Sequence, residues 1–147
     1  MDDIKRLSEQ FRYAIDSALR AGEFKDDFSF HRFPSGCCGD TCILLAQFLL
    51  EYGIRTYYVC GFKKSWSHAW LCTDNDIIID ITGDQFKENI SFLNYNVPIY
   101  VGKKDSFHHQ FLVQDKDIHE NHGLHAVNNL CLIRLNSLYK KITQYIV

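Results

Sequence analysis

Excess charge of either sign is missing from this chain: 16 Lys and Arg stand against 18 Asp and Glu, a net charge of −2 over 147 residues. That balance argues against an electrostatic nucleic-acid binder, and there is no basic run or RNA-recognition signature to compensate. No apolar stretch reaches the length of a membrane span, and no charged-then-apolar leader opens the chain, so a cytoplasmic protein without membrane contact is expected. Linkers, internal repeats and low-complexity segments are also missing. With 46% apolar residues, the expectation is one globular domain over residues 1–147 with a real core. The 6 cysteines, at positions 37, 38, 42, 60, 72 and 131, mostly lie inside apolar helix or strand patterns, as reduced thiols do, and not in loops, as in a disulfide framework. Only the adjacent pair Cys37-Cys38 leaves room for a strained, regulatory disulfide.

What is present centres on the stretch from Phe33 to Ile54. Pro34, Ser35 and Gly36 form a turn that resists helix. A nearly unbroken apolar run follows to Leu50, and Gly53 provides a stop, so a largely covered helix should begin at Cys37 or Cys38. A thiol in the first turn feels the free N–H groups and the positive end of the helix dipole, both of which favour thiolate. Before it, Ile4, Leu7, Phe11, Ala14, Ile15, Ala18 and Leu19 predict an amphipathic helix over residues 3–21. The aromatic-rich loop 23–36 leads to the cysteine, either packed down by its own rings or lining a groove.

After the helix, residues 55–62, 68–72 and 76–81 read as strands. A three-residue turn at Thr73-Asp74-Asn75, with Asn75 left-handed, would pair His68 directly with Asp80 and put both side chains on one face. Any loop of the other parity would separate them. Residues 83–95 predict a short helix or covering loop, residues 97–101 an edge strand set off by Pro98, and residues 110–113 a further strand. A last amphipathic helix is expected from Ala126 onward, packed through Val127, Leu130, Cys131, Ile133, Leu135, Leu138 and Ile142.

Cys38, His68 and Asp80 then suggest a nucleophilic triad: thiolate, proton-shuttling imidazole, and a carboxylate that fixes the imidazole. An aspartate inside the apolar run 77–81 needs a buried partner, and His68 is the obvious one. Cys37 is the rival nucleophile. The Cys38 N–H would serve as one oxyanion donor, with His31, Arg32 or Trp66 as candidates for the second. Asp40, one turn from the thiol, should oppose its ionisation unless neutralised. Five histidines lie between positions 108 and 125 (His108, His109, His119, His122 and His125). Without a cysteine pair or a metalloprotease motif, His119, His122 and His125 read as a polar loop and no metal is expected.

Gly36-x-Cys38, the Leu-rich helix to Gly53-Ile54, a strand ending in Gly61, His68-Ala69-Trp70 and Asp80-x-Thr82 together resemble the core of the transglutaminase-like branch of papain-fold cysteine hydrolases. The likeness covers about residues 33–82, with an unusually short segment between Gly61 and His68. It implies an α+β fold, the cysteine helix packed on an antiparallel sheet between flanking N- and C-terminal helices. It also implies a thioester intermediate, a peptide or protein substrate, and no cofactor. The expected activity is therefore cysteine-dependent acyl transfer at amide bonds, as a peptidase or a glutamine deamidase ahead of a crosslinking transglutaminase; roles in bacterial conflict or peptide maturation suit the size. A catalytically inactive binding or scaffold domain of the same fold is the alternative.

Overall fold

A computed structural model describes residues 1–147, the side chain of Ala126 excepted. The protein is α+β. Among the described residues the helices are α1 (Asp2–Arg20), α2 (Cys38–Glu51), α3 (Ser106–His109) and α4 (Asn129–Thr143). The strands are β1 (Thr56–Lys63), β2 (Trp66–Cys72), β3 (Ile78–Asp80), β4 (Tyr100–Gly102) and β5 (Ile118–Asn121). They form one antiparallel sheet in the order β4-β3-β2-β1-β5. None of the described helices is long and apolar enough to cross a membrane.

The two faces of the sheet are covered differently. Ala69, Leu71 and Ile79 face a core shared with α1, α2 and α4. The alternate residues Val59, Trp70 and Ile78 face Phe86, Phe92, Phe107 and Phe111, which belong to the segment joining β3 to β5. α1 forms because Leu7, Phe11, Ala14, Ile15 and Ala18 recur on one buried stripe, with Asp2 and Asp3 at its positive end and Arg20 at its negative end. α2 is buried more widely, through Cys42, Leu44, Leu45, Ala46, Phe48 and Leu49. The aromatic loop before it is packed down: Phe24, Phe30 and Phe33 join the helical core, while Phe28 stays exposed.

The turn between β2 and β3 decides where Asp80 falls. It has three residues, as expected, but is set one residue later: Thr73 N–H donates to the Ile77 carbonyl, and Asp76 N–H to the Thr73 carbonyl. Asp76, at φ 61°, takes the left-handed position expected for Asn75. Aspartate tolerates that conformation as well as asparagine does, so composition could not choose between them. Cys72 therefore pairs with Ile78 and Leu71 with Ile79, so that His68 and Asp80 are not directly opposed. The shift keeps its parity, so the two side chains still share a face, as a diagonal pair.

Other boundaries differ. Trp66 belongs to β2, closing a tight hairpin opposite Lys63 with Lys64 left-handed. Residues 83–95 hold two 3-10 turns, Gly83–Phe86 and Ile90–Phe92. The strand expected at 97–101 is β4, at the sheet edge. Residues 110–113 contribute only a single bridge, Leu112 to Phe62. The polar loop expected around His119 is β5, paired with β1 from Thr56 opposite Asn121 to Val59 opposite Ile118. In α4 only Leu135, Leu138, Tyr139 and Ile142 are buried; Leu130, Cys131 and Ile133 face outward, off the stripe that the 3.6-residue period selects. Gly61, directly opposite His68, admits the covering segment: a Cβ there would stand 2.6 Å from the Phe111 Cβ and 3.1 Å from the Trp70 ring.

Candidate active site

Cys38 is the first residue of α2, where backbone N–H groups have no intrahelical acceptor. Its sulfur meets the sheet at β2, beside His68 and Ala69. His68 Nε2 lies 2.7 Å from Asp80 Oδ2, and its Nδ1 lies 3.1 Å from the Gln85 amide nitrogen. Asp80 Oδ1 accepts the Thr82 N–H at 3.0 Å. His68 is 0% exposed and Asp80 2%, closed in by Phe86, Phe107 and Phe111, whereas Cys38 is only half-buried. Of the three residues only Cys38 is not fully buried.

The electrostatics follow these contacts. Burial alone would push the Cys38 thiol up. Its hydrogen bond to His68, the His68 charge and the Ala69 N–H outweigh burial and the opposing Asp80 charge, so the thiol is acidified. Burial also opposes a charged His68, yet Asp80 and then Cys38 raise its imidazolium to about 9. Burial works against the Asp80 anion too, but two histidines hold its carboxyl well below the usual carboxylate range. The neighbouring cysteines go the other way. Burial pushes Cys37 up to about 12, and its thiol donates to the carbonyls of Ser29 at 3.3 Å and Ser35 at 3.4 Å. Cys42, Cys60 and Cys72 are also raised, chiefly by burial, and all six thiols are free. Cys37 is a packed donor; Cys38 has the setting of a nucleophile.

Of the three oxyanion candidates, His31 is exposed with Nδ1 2.7 Å from the Asp27 carbonyl, Arg32 lies against Gly36, and Trp66 stands edge-on to Phe92. Among the described hydrogen bonds none links them to Cys38 or His68. Gln85 is there instead: its amide nitrogen is 3.1 Å from both His68 Nδ1 and the Thr82 carbonyl. The only sequence signal for it was its place three residues after Thr82.

Asp40 is neutralised, as ionisation of Cys38 requires. Arg134 of α4 reaches Asp40 at 2.8 Å, grips both Asp27 oxygens at 3.0 Å, and donates to Ser29 Oγ at 2.8 Å. Burial would raise the Asp27 carboxyl, but Arg134 and the Phe30 and Ser29 N–H groups bring it down to about 2. A depressed carboxyl adds stability above its unfolded value and loses it as pH falls through the folded one. Arg134→Met should lower the melting temperature by about 5 °C at neutral pH. The gap to wild type should narrow as pH falls from about 4 toward 2. A gap that stays constant across that range, in calorimetric melts, would dismiss the Arg134–Asp27 pair as its source.

Along α2 from Cys38, a cleft of about 420 Å³ is lined by Gly39, Asp40, Ile43, Tyr58, His119 and Asn121. Tyr58 and His119, paired across β1 and β5, stack at 5.1 Å along its wall.

The chain matches no known family model, curated protein or solved structure. Residue geometry alone therefore carries the functional reading.

The histidine-rich segment is scattered by the fold. His108 is fully buried, His119 lies on β5, and His122 is exposed. His68, Asp80 and His108 present ligand atoms within 4.8 Å of one another, but hydrogen bonds of 2.7 Å already join each histidine to the aspartate.

Proposed function

We propose that the protein is a cysteine-dependent acyl-transfer enzyme acting on amide bonds of a peptide or protein, of the papain-fold, transglutaminase-like type. The observation that carries this reading is the partly exposed Cys38 at the start of α2, beside a buried His68–Asp80 pair. The helix packed on an antiparallel sheet supports the fold assignment.

The Cys38 thiolate attacks the amide carbonyl carbon, and the carbonyl electrons move to oxygen, where the Cys38 N–H at the start of α2 faces the developing charge. The C–N bond then breaks. His68 Nδ1 gives its proton to the leaving amine or ammonia, leaving a thioester on Cys38. Water attacks the thioester while His68 takes its proton, and collapse releases the acid and the thiolate. Asp80 holds the imidazole in one tautomer and balances its charge. Gln85, donating to Nδ1, fits the neutral ring and must yield when that nitrogen is protonated. The cleft beside Gly39 would hold residues flanking the scissile amide.

The test is incubation with a mixed peptide pool rich in glutamine, read by mass spectrometry for backbone cleavage and for conversion of amide to acid. Wild type should produce one of these, and Cys38→Ala neither. Identical spectra for the two proteins would favour the inactive binding domain.

A further inference from the structure

Asp80 is shared. Its Oδ2 meets His68 Nε2 and His108 Nε2, each at 2.7 Å, from two rings 29° from parallel with centroids 6.3 Å apart. On its far side, His108 Nδ1 meets Asp105 Oδ1 at 2.6 Å. That same oxygen accepts the His108 backbone N–H at 2.9 Å and caps α3. Trp70 stands edge-on to the His108 ring at 4.9 Å, with Phe107 edge-on at 5.0 Å and Tyr100 at 5.4 Å. Cys38, His68, Asp80, His108 and Asp105 therefore form one continuous line, of which the last two have no part in the chemistry described above.

A histidine that only filled the core would be satisfied by one partner. His108 has a carboxylate oxygen at each ring nitrogen, and a carboxylate only accepts. The N–H that His108 aims at Asp80 competes directly with the one from His68, because both fall on one oxygen. Asp105 explains why the ring cannot turn away: it fixes Nδ1 and the backbone of the same residue at once. The other ionisable groups facing this line are Cys42 from α2, Tyr95 from the covering segment and Tyr100 from β4.

We propose that His108, anchored by Asp105, is a second positioning histidine of this site: it fixes the Asp80 carboxylate from behind and takes up part of its charge, setting how tightly Asp80 holds the His68 proton. The inference rests on Cys38 and His68 acting as nucleophile and base. Without the His108 donor, Asp80 bears on His68 alone, so the imidazolium persists to higher pH. The unshared negative charge also opposes the Cys38 thiolate, so that ionisation moves up as well. A merely structural role would move neither.

The experiment is the pH profile of iodoacetamide labelling at Cys38, by mass spectrometry, in wild type, His108→Phe and His108→Gln. His108→Phe removes both N–H groups while keeping a ring, and should raise the profile's midpoint by about one pH unit. His108→Gln, whose amide still donates to Asp80, should restore the midpoint to near the wild-type value. Equal shifts in both variants, or none in either, with wild-type labelling still selective for Cys38, would reduce His108 to packing. Unselective labelling in wild type would overturn the enzyme reading itself, and the inference with it. A measurement on the wild type covers the case of variants that do not fold: ring-nitrogen NMR should show a slowly exchanging His108 Nε2 proton aimed at Asp80. An unprotonated Nε2, or loss of that proton on adding zinc, would make the cluster something else and overturn the proposal.

Discussion

His68→Ala should slow iodoacetamide labelling of Cys38 at pH 6 on the order of 10- to 100-fold, while labelling of Cys131 on the exposed face of α4 stays unchanged. The magnitude combines two opposing effects. An unperturbed thiol, with an ordinary value of about 8.5, is roughly 0.3% thiolate at pH 6, so acidification can gain up to a factor of about 300 in reactive form. A thiolate made more stable is also a weaker nucleophile, which returns part of that gain. In the variant, burial has nothing to oppose it except the Ala69 N–H, and Cys38 should behave as Cys37 does. The wild-type profile should already be high below pH 7 and should not fall as His68 loses its proton near 9, because the thiolate persists there. Rapid labelling focused on Cys37 would move the nucleophile by one residue; equal slow rates at every cysteine would leave a packed core and no active site.

Arg12→Met should cost about 3–5 kcal/mol of folding stability, a fall of roughly 10–15 °C in melting temperature. Arg12 is buried within α1. Its guanidinium forks onto Asp84 at 2.8 and 2.7 Å, and donates to the carbonyls of Ile81 at 2.7 Å and Pro98 at 3.1 Å. Nε adds Asp16 at 3.1 Å. Methionine fills much of the space but leaves Asp84, itself 7% exposed, without its cation. The loss comes from that stranded charge more than from the pair's own attraction. Arg12→Met combined with Asp84→Leu should therefore recover most of the stability. Denaturant unfolding of both variants decides it: a single-variant loss below about 1 kcal/mol would mean Asp84 finds water or another donor. The contact also governs where the site lies, because Ile81 and Asp84 belong to the segment that carries Asp80, Thr82 and Gln85.

The legible parts of this molecule were local ones. Pro34-Ser35-Gly36 before an apolar run located the start of α2, and the parity of a short turn put His68 and Asp80 on one face. Which of Asp74, Asn75 and Asp76 turns left-handed was not legible, since all three tolerate it; the turn therefore came out one residue later and the ladder two residues out of register. β5 was missed because Ile118-His119-Glu120-Asn121 has little strand character of its own and is ordered by pairing with β1. His108, Asp105 and Gln85 were beyond local reading for a different reason. Their positions depend on how residues 83–111 fold back over the sheet, a long-range event that leaves no period in the sequence. Arg134 likewise meets Asp27 and Asp40 only once α4 has docked.

The missing side chain at Gly61 bears on how this sequence can drift. Phe111 comes down on the strand where a Cβ would otherwise stand, directly across from His68. Any other residue there would lift the covering segment, carrying Asp105 and His108 away from Asp80 and letting solvent reach the imidazole. A position that touches no substrate and carries no functional group is thus closed to substitution, and replacements at Phe111 will find no relief by exchange at its partner.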